Sequence, residues 1–277
     1  MRFLKDLVVL LVPIRVAFFI QSLKHRIKLK ETSLVPLSDI DISTEGGLEK
    51  KIQRISFEIS NTCNYTSIHP ECPVSCYKSA NILDKKIVFK VIDELKELNY
   101  SGYIAFHRYN EPMINKERLY AYLEYINNAL PNAKMAILTN GSYLNQEEVD
   151  TLDKFNVWSV SVSAYSKKEY IRLKKLTTNK IKYSIFYSVL DARLSVYEKE
   201  PLDLKMPCYT TIRDITINCH GQLALCCFDW NNEVTFGSLK ENSLSELLNS
   251  PRFLDAHDNL TAGNRKFEVC RRCDTCR

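Results

Sequence analysis

Cys63, Cys72 and Cys76 lie in one stretch, "SNTCNYTSIHPECPVSCYKS", with eight residues between the first pair and three between the second. Thiolates grouped like this hold soft metals. Three of them can hold three irons of a [4Fe–4S] cluster and leave the fourth iron open, because full ligation takes four. The same set, with His69 as a fourth donor, also suits zinc. A second group follows far downstream: Cys208, Cys226, Cys270 and Cys273, with Cys219, Cys227 and Cys276 beside them. Cys270 and Cys273 form a Cys-x2-Cys pair, and four thiolates close a coordination shell. A four-cysteine zinc ribbon fits these spacings too. All ten cysteines fall in these two groups, inside an otherwise enzyme-like chain. That pattern predicts metal ligands in a reducing compartment rather than a disulfide scaffold.

Such loops need rigid elements behind them, and residues 55–190 supply a regular series. "RISFEIS", "GYIAFHRY", "KMAILTN", "VWSVSVSAY" and "KIKYSIFYSV" read as strands. Between them "DKKIVFKVIDELKEL", "NKERLYAYLEYINNAL", "NQEEVDTLDKF" and "KKEYIRLKKL" have the period of amphipathic helices. Strands alternating with helices predict an α/β fold: a partial (β/α)6 barrel of parallel strands with its site at the C-terminal strand ends. The Cys63 loop follows the first strand and so lies on that face. From about residue 200 the style changes to a small C-terminal cysteine-bearing module, which the resemblance described below makes an iron–sulfur module. "DITINCHGQLALCC" reads as a β-hairpin turning at His220–Gly221, and "NSLSELLNSPRF" as a short capped helix. Three segments result: an N-terminal basic and apolar helical extension at 1–50, the barrel at 51–200 and the auxiliary module at 201–277.

These motifs, in this order, resemble the radical S-adenosylmethionine enzymes. "EISNTCN" matches the loop opening of that superfamily at Glu58 through Asn64. "HRYNEP" stands where the superfamily has a Gly–Gly–Glu–Pro-like turn, with Asn110, Glu111 and Pro112 in place. "TNG" follows the third strand at Thr139–Asn140–Gly141, and Ser163 stands on the fourth. The resemblance implies that Cys63, Cys72 and Cys76 hold the reactive [4Fe–4S] cluster. It also implies that Asn110, Glu111, Pro112, Asn140 and Ser163 bind S-adenosyl-L-methionine. The usual spacing is Cys-x3-Cys-x2-Cys. Here the loop is longer, and His69 within the extra residues is a candidate replacement ligand. The C-terminal cysteines resemble the twitch form of the SPASM-type module, which implies a second [4Fe–4S] cluster on Cys208, Cys226, Cys270 and Cys273.

The layout is most similar to the family of 2-deoxy-scyllo-inosamine dehydrogenases. It implies an oxidoreductase that makes a 5′-deoxyadenosyl radical and oxidises an alcohol carbon of a sugar or cyclitol, with Arg193 of "VLDARLSVYE" in the substrate pocket. Alternatives left open are a radical epimerase, a peptide-modifying enzyme of the same superfamily, and an iron–sulfur protein that only relays electrons. A flavodoxin- or ferredoxin-type donor is implied. The net charge of +5 is small for 277 residues and does not point to a nucleic-acid surface. "MRFLKDLVVLLVPIRVAFFIQSLKHRIKLK" is apolar with basic flanks, but Pro13 and Arg15 interrupt it, and an Arg at mid-span is costly. It predicts a packing helix or one lying on a membrane surface. The expected location is the cytoplasm, with peripheral contact at the inner membrane surface left open as the alternative to a packing helix.

Overall fold

The computed structural model describes residues 52–187, 193–202, 204–208 and 210–273. The N-terminal extension, including the basic apolar stretch, and Cys276 lie outside the described residues. Among those described, no helix is long and apolar enough to cross a membrane.

The expected alternation is present. β1 (Arg54–Phe57), α1 (Lys85–Glu97), β2 (Tyr103–Phe106), α2 (Lys116–Ala129), β3 (Lys134–Thr139), α3 (Gln146–Leu152), β4 (Val157–Ala164), α4 (Lys167–Leu173) and β5 (Lys182–Tyr187) follow one another. Each helix starts where a side chain can accept from an orphan amide of its first turn. Asp84 accepts from Lys86 N, Asn115 from Arg118 N, Asn145 from Glu148 N and Ser166 from Glu169 N. α1 buries Ile87, Val88, Val91, Ile92 and Leu95, the stripe its helical period sets.

The strands alternate in the same sense. On β1, Ile55 and Phe57 are fully buried in the core with α1 and α2, and Phe106 stacks between Phe57 and Tyr122. The intervening positions face the opposite side, where the cavities lie. A bulge between β3 and β4 leaves Trp158 without a partner in the ladder, since Met135 pairs with Val157 and Ala136 with Ser159. Beyond it, Ser159, Ser161 and Ser163 line the cavities while Val160 and Val162 stay in the core.

All strands join one eight-stranded sheet in the order β5-β4-β3-β2-β1-β6-β7-β8. β6 (Asp214–Ile217) follows a single helical turn, α5 (Thr210–Arg213), and pairs parallel with β1. It is therefore the sixth parallel strand as well as the first arm of the expected hairpin. Gly221 turns the hairpin at φ 79°, β7 (Gln222–Ala224) returns antiparallel, and β8 (Thr235–Ser238) pairs with it. The sheet thus continues across residue 200. "NSLSELLNSPRF" forms two helices instead of one: α6 (Leu244–Leu248), opened by a Ser243–Glu246 capping box, and α7 (Pro251–Thr261), with Pro251 in its first turn. Proline lacks the amide that a continuing helix needs, so the chain restarts there. α8 (Glu268–Arg272) closes the described chain.

Candidate active site

The C-terminal ends of β1 to β5 converge on one cavity of about 480 Å³. Cys63 and Cys72 line it, with Asn110, Glu111, Asn140 and Ser163. His69, Arg108 and Tyr165 are also in its wall. Of the residues expected there, the exposed Cys76 and the buried Pro112 are not among the lining residues.

Glu111 is the knot that ties two strand ends together. It is buried, and its carboxylate accepts from Thr139 Oγ1 at 2.7 Å, Asn140 N at 2.6 Å and Met113 N at 3.0 Å. Burial raises its pKa above the ordinary carboxylate value, and the three donors oppose that shift. Pro112 is buried and opens the short 3₁₀ turn Pro112–Asn115 that sets this corner. Asn140, so fixed, donates from Nδ2 to Asn64 Oδ1 at 2.9 Å and to Cys63 Sγ at 3.7 Å. Gly141 then turns at φ 77°, and a Cβ there would stand 2.6 Å from Val162 Cγ1. Only glycine fits both the space and the backbone angle.

Residues 63, 72, 110, 111, 140 and 163 thus have the chemistry a cluster with its cofactor needs. Both side-chain polar atoms of Asn110 are buried on this cavity without a partner, which costs about 1–3 kcal/mol each until a ligand meets them. The Cys63 thiol is pushed up to about 11, by burial first, and it accepts a hydrogen bond from Tyr65 N at 3.4 Å. Among the described residues no three His, Cys, Asp or Glu side chains close into the shell of a single ion.

The second cysteine group assembles beside β7. Cys226 lies at its end, accepts from Phe228 N at 3.4 Å and feels Cys227 and Cys270. Cys270 is pushed up to about 12, mainly by burial and then by Cys208 and Cys273. Cys208 is held by its amide on Leu260 O at 2.8 Å. Four buried or half-buried thiols converging this way fit a closed cluster shell. Cys219 is buried, and its amide donates to Glu58. Cys227 instead faces a second cavity of about 480 Å³ that shares His107, Leu138 and Ser161 with the first. Arg193 lines this second cavity, with its guanidinium 5.6 Å from the Phe228 ring and 5.9 Å from that of Tyr109.

Sequence reasoning missed the link between the two cysteine sites. Arg108, at φ 144°, donates to Glu58 Oε2 at 3.0 Å and to Asp229 O at 2.7 Å. Asp229 in turn accepts from Tyr197 Oη, Glu233 N and Val234 N. Nothing local in "HRYNEP" marks Arg108, because its partners lie 50 and 121 residues away.

Comparison with known proteins shows what the chain is similar to. Residues 208–276 match SPASM, an iron–sulfur cluster-binding domain. The fold is shared with solved structures. The chain superposes on the crystal structure of BtrN in complex with AdoMet and 2-DOIA with a TM-score of 0.70, at 24% identity over 81% of this chain and 93% of that one. It is also 24% identical over 237 residues to the S-adenosyl-L-methionine-dependent 2-deoxy-scyllo-inosamine dehydrogenase of Niallia circulans, which covers 82% of this chain and 94% of the relative. Hexahistidine-tagged anSMEcpe with bound AdoMet shares the fold more distantly, with a TM-score of 0.51 at 11% identity over 80% of this chain and 83% of that one.

Proposed function

We propose that this chain is a radical S-adenosylmethionine dehydrogenase that oxidises an alcohol carbon of a small polyol, of the sugar or cyclitol kind. The observation that carries this reading is the pair of adjoining cavities. One is walled by Cys63, Cys72 and the Glu111–Asn140 knot, the other by Arg193 and Cys227, and His107, Leu138 and Ser161 belong to both. When bound, the cluster and S-adenosylmethionine supply a 5′-deoxyadenosyl radical that takes a hydrogen atom from an unactivated carbon.

The chain's own residues do the rest. Asn110 offers one donor group and one acceptor to the methionyl end of the cofactor, and Ser163 adds a hydroxyl. Arg193 is always charged and has no acceptor, so it takes no proton itself. It donates to the substrate hydroxyl oxygen and favours loss of the hydroxyl proton to solvent, to which the cavity opens. Cys208, Cys226, Cys270 and Cys273 hold the auxiliary cluster, whose closed shell suits it to accept an electron. The setting is the cytoplasm, where thiols stay reduced, with a flavodoxin- or ferredoxin-type donor. Small molecules are favoured over peptides by the dehydrogenase relative.

A polyol deuterated at the carbinol carbon tests this. The expected result is deuterium in 5′-deoxyadenosine together with a ketone. A second reading, an epimerase, is favoured by Cys227, a hydrogen donor on the substrate cavity. It predicts an inverted alcohol in place of the ketone, abolished by Cys227→Ala. Ketone formed by the wild type and by Cys227→Ala protein alike, with no inverted alcohol, excludes it.

A further inference from the structure

We infer that the substrate carries a phosphoryl group, bound by Arg213 and Arg54 at the far end of the second cavity. The inference rests on the dehydrogenase reading above and names a substrate class for it. Three observations carry it. First, the cavity is long. Along β2 and the residue after it, the lining runs from Tyr103 to His107, which is shared with the first cavity. Four residues of strand at about 3.3 Å each separate those ends by about 13 Å. A six-membered ring whose carbinol carbon faces the first cavity leaves room beyond it for a substituent.

Second, the far end is a belt of cations. Asp214, Arg54, Tyr103 and Lys134 are direct partners across β6, β1, β2 and β3, so they share one face of the sheet. Gln53 N donates to Arg213 O at 3.1 Å, which sets Arg213 beside Arg54. The bulge brings Trp158 into the same row. Its ring lies 5.2 Å from that of Tyr103, with Lys182 Nζ at 4.8 Å and Lys134 Nζ at 5.8 Å. Arg54, Arg213, Lys134 and Lys182 thus meet one carboxylate in this row, that of Asp214. It already accepts from Arg54 Nε and Nη2, and from Ser56 Oγ at 3.3 Å.

Third, the two arginines of the belt are the cations that line the cavity there. The planar fork of a guanidinium matches phosphate oxygens, and Asp214 fixes Arg54 in place. The lysines around Trp158 add to the positive field at this end. Arg193 belongs to the other end, since its guanidinium stands 5.9 Å from the ring of Tyr109, which lines the first cavity. One arginine therefore serves the reacting hydroxyl and the others serve the anion. A cationic aminocyclitol would meet like charge here, whereas a phosphoryl group meets its complement.

The test is calorimetric binding to the full chain, reconstituted anaerobically, with S-adenosylmethionine present and no reductant, so that no turnover intervenes. The probes are myo-inositol, myo-inositol 1-phosphate, uridine diphosphate glucose and 2-deoxy-scyllo-inosamine. The proteins are wild type, Arg213→Met and Arg213→Lys. A phosphorylated probe should bind the wild type about 10–100-fold more tightly than myo-inositol, the worth of a hydrogen bond to a charged group. The tighter of the two phosphorylated probes tells a phosphomonoester from a sugar nucleotide. The preference should shrink as salt is raised. Arg213→Met should lose most of it and Arg213→Lys should keep part, while both bind S-adenosylmethionine as the wild type does, which shows that they fold. Phosphorylated probes no tighter than myo-inositol would overturn the inference. So would a preference that Arg213→Met leaves intact, or 2-deoxy-scyllo-inosamine as the tightest probe. The reading beneath is judged separately, by products after reduction. Ketone from neutral polyols without a phosphoryl preference keeps the dehydrogenase and sinks this inference. A phosphoryl preference lost in Arg213→Met, with no 5′-deoxyadenosine formed, keeps the anion site and sinks the dehydrogenase.

Discussion

Replacing Arg108 by Met tests the joint between the two cysteine sites. The side chains of Arg108 and Glu58 are each 1% exposed, so neither charge is solvated. In the variant the Glu58 carboxylate keeps the amides of Tyr109 at 3.3 Å and Cys219 at 3.1 Å but loses its cation. The Asp229 carbonyl loses its donor as well. Breaking a buried pair from one side costs about 3–5 kcal/mol. At about 2–4 °C per kcal/mol for a chain near this size, the melting temperature should fall by roughly 6–20 °C. Adding Glu58→Gln removes the stranded charge, so the double variant should be more stable than Arg108→Met alone. The assay is thermal and urea unfolding of the three variants against wild type under matched reconstitution. An Arg108→Met protein within about 1 kcal/mol of wild type would refute the claim that this pair is buried and mutually dependent.

Other outcomes follow from the same geometry. Arg193→Met should lower kcat/KM about 10–100-fold, the worth of one charge-assisted hydrogen bond, while Arg193→Lys should recover part of it. Cys270→Ala should lower iron content by about four per chain by chemical analysis. Gly141→Ala should lower stability in urea unfolding and raise the KM for S-adenosylmethionine, since a Cβ meets both Val162 and Leu173. The Glu246 carboxyl is held below its ordinary value of 4.5 by Ser243 in the capping box. A depressed carboxyl stabilises the fold above that pH and ceases to as pH falls through its folded value. Wild type should therefore exceed Glu246→Gln in stability at neutral pH, with the gap closing below about pH 4.

Local periodicity made much of this fold legible. α1 and α2 begin and end within a residue of where capping and apolar spacing put them, and all five barrel strands fall inside their expected stretches. The order of short motifs after successive strands brought Asn110, Glu111 and Asn140 to one cavity for the same reason: each follows its strand directly. What escaped was non-local. The parallel pairing of β6 with β1 joins residues about 160 apart, and no pattern within either strand reports it. The Glu58–Arg108–Asp229 link is of the same kind.

The central claim is that the cavity beneath Cys63 and Cys72 cleaves S-adenosylmethionine by one-electron reduction. The direct measurement is 5′-deoxyadenosine released by the anaerobically reconstituted, reduced protein, compared with Cys63→Ala. Release by wild type that Cys63→Ala abolishes is the predicted result. A wild type fully loaded with iron and sulfide that releases none would contradict the account and leave an iron–sulfur protein that only carries electrons.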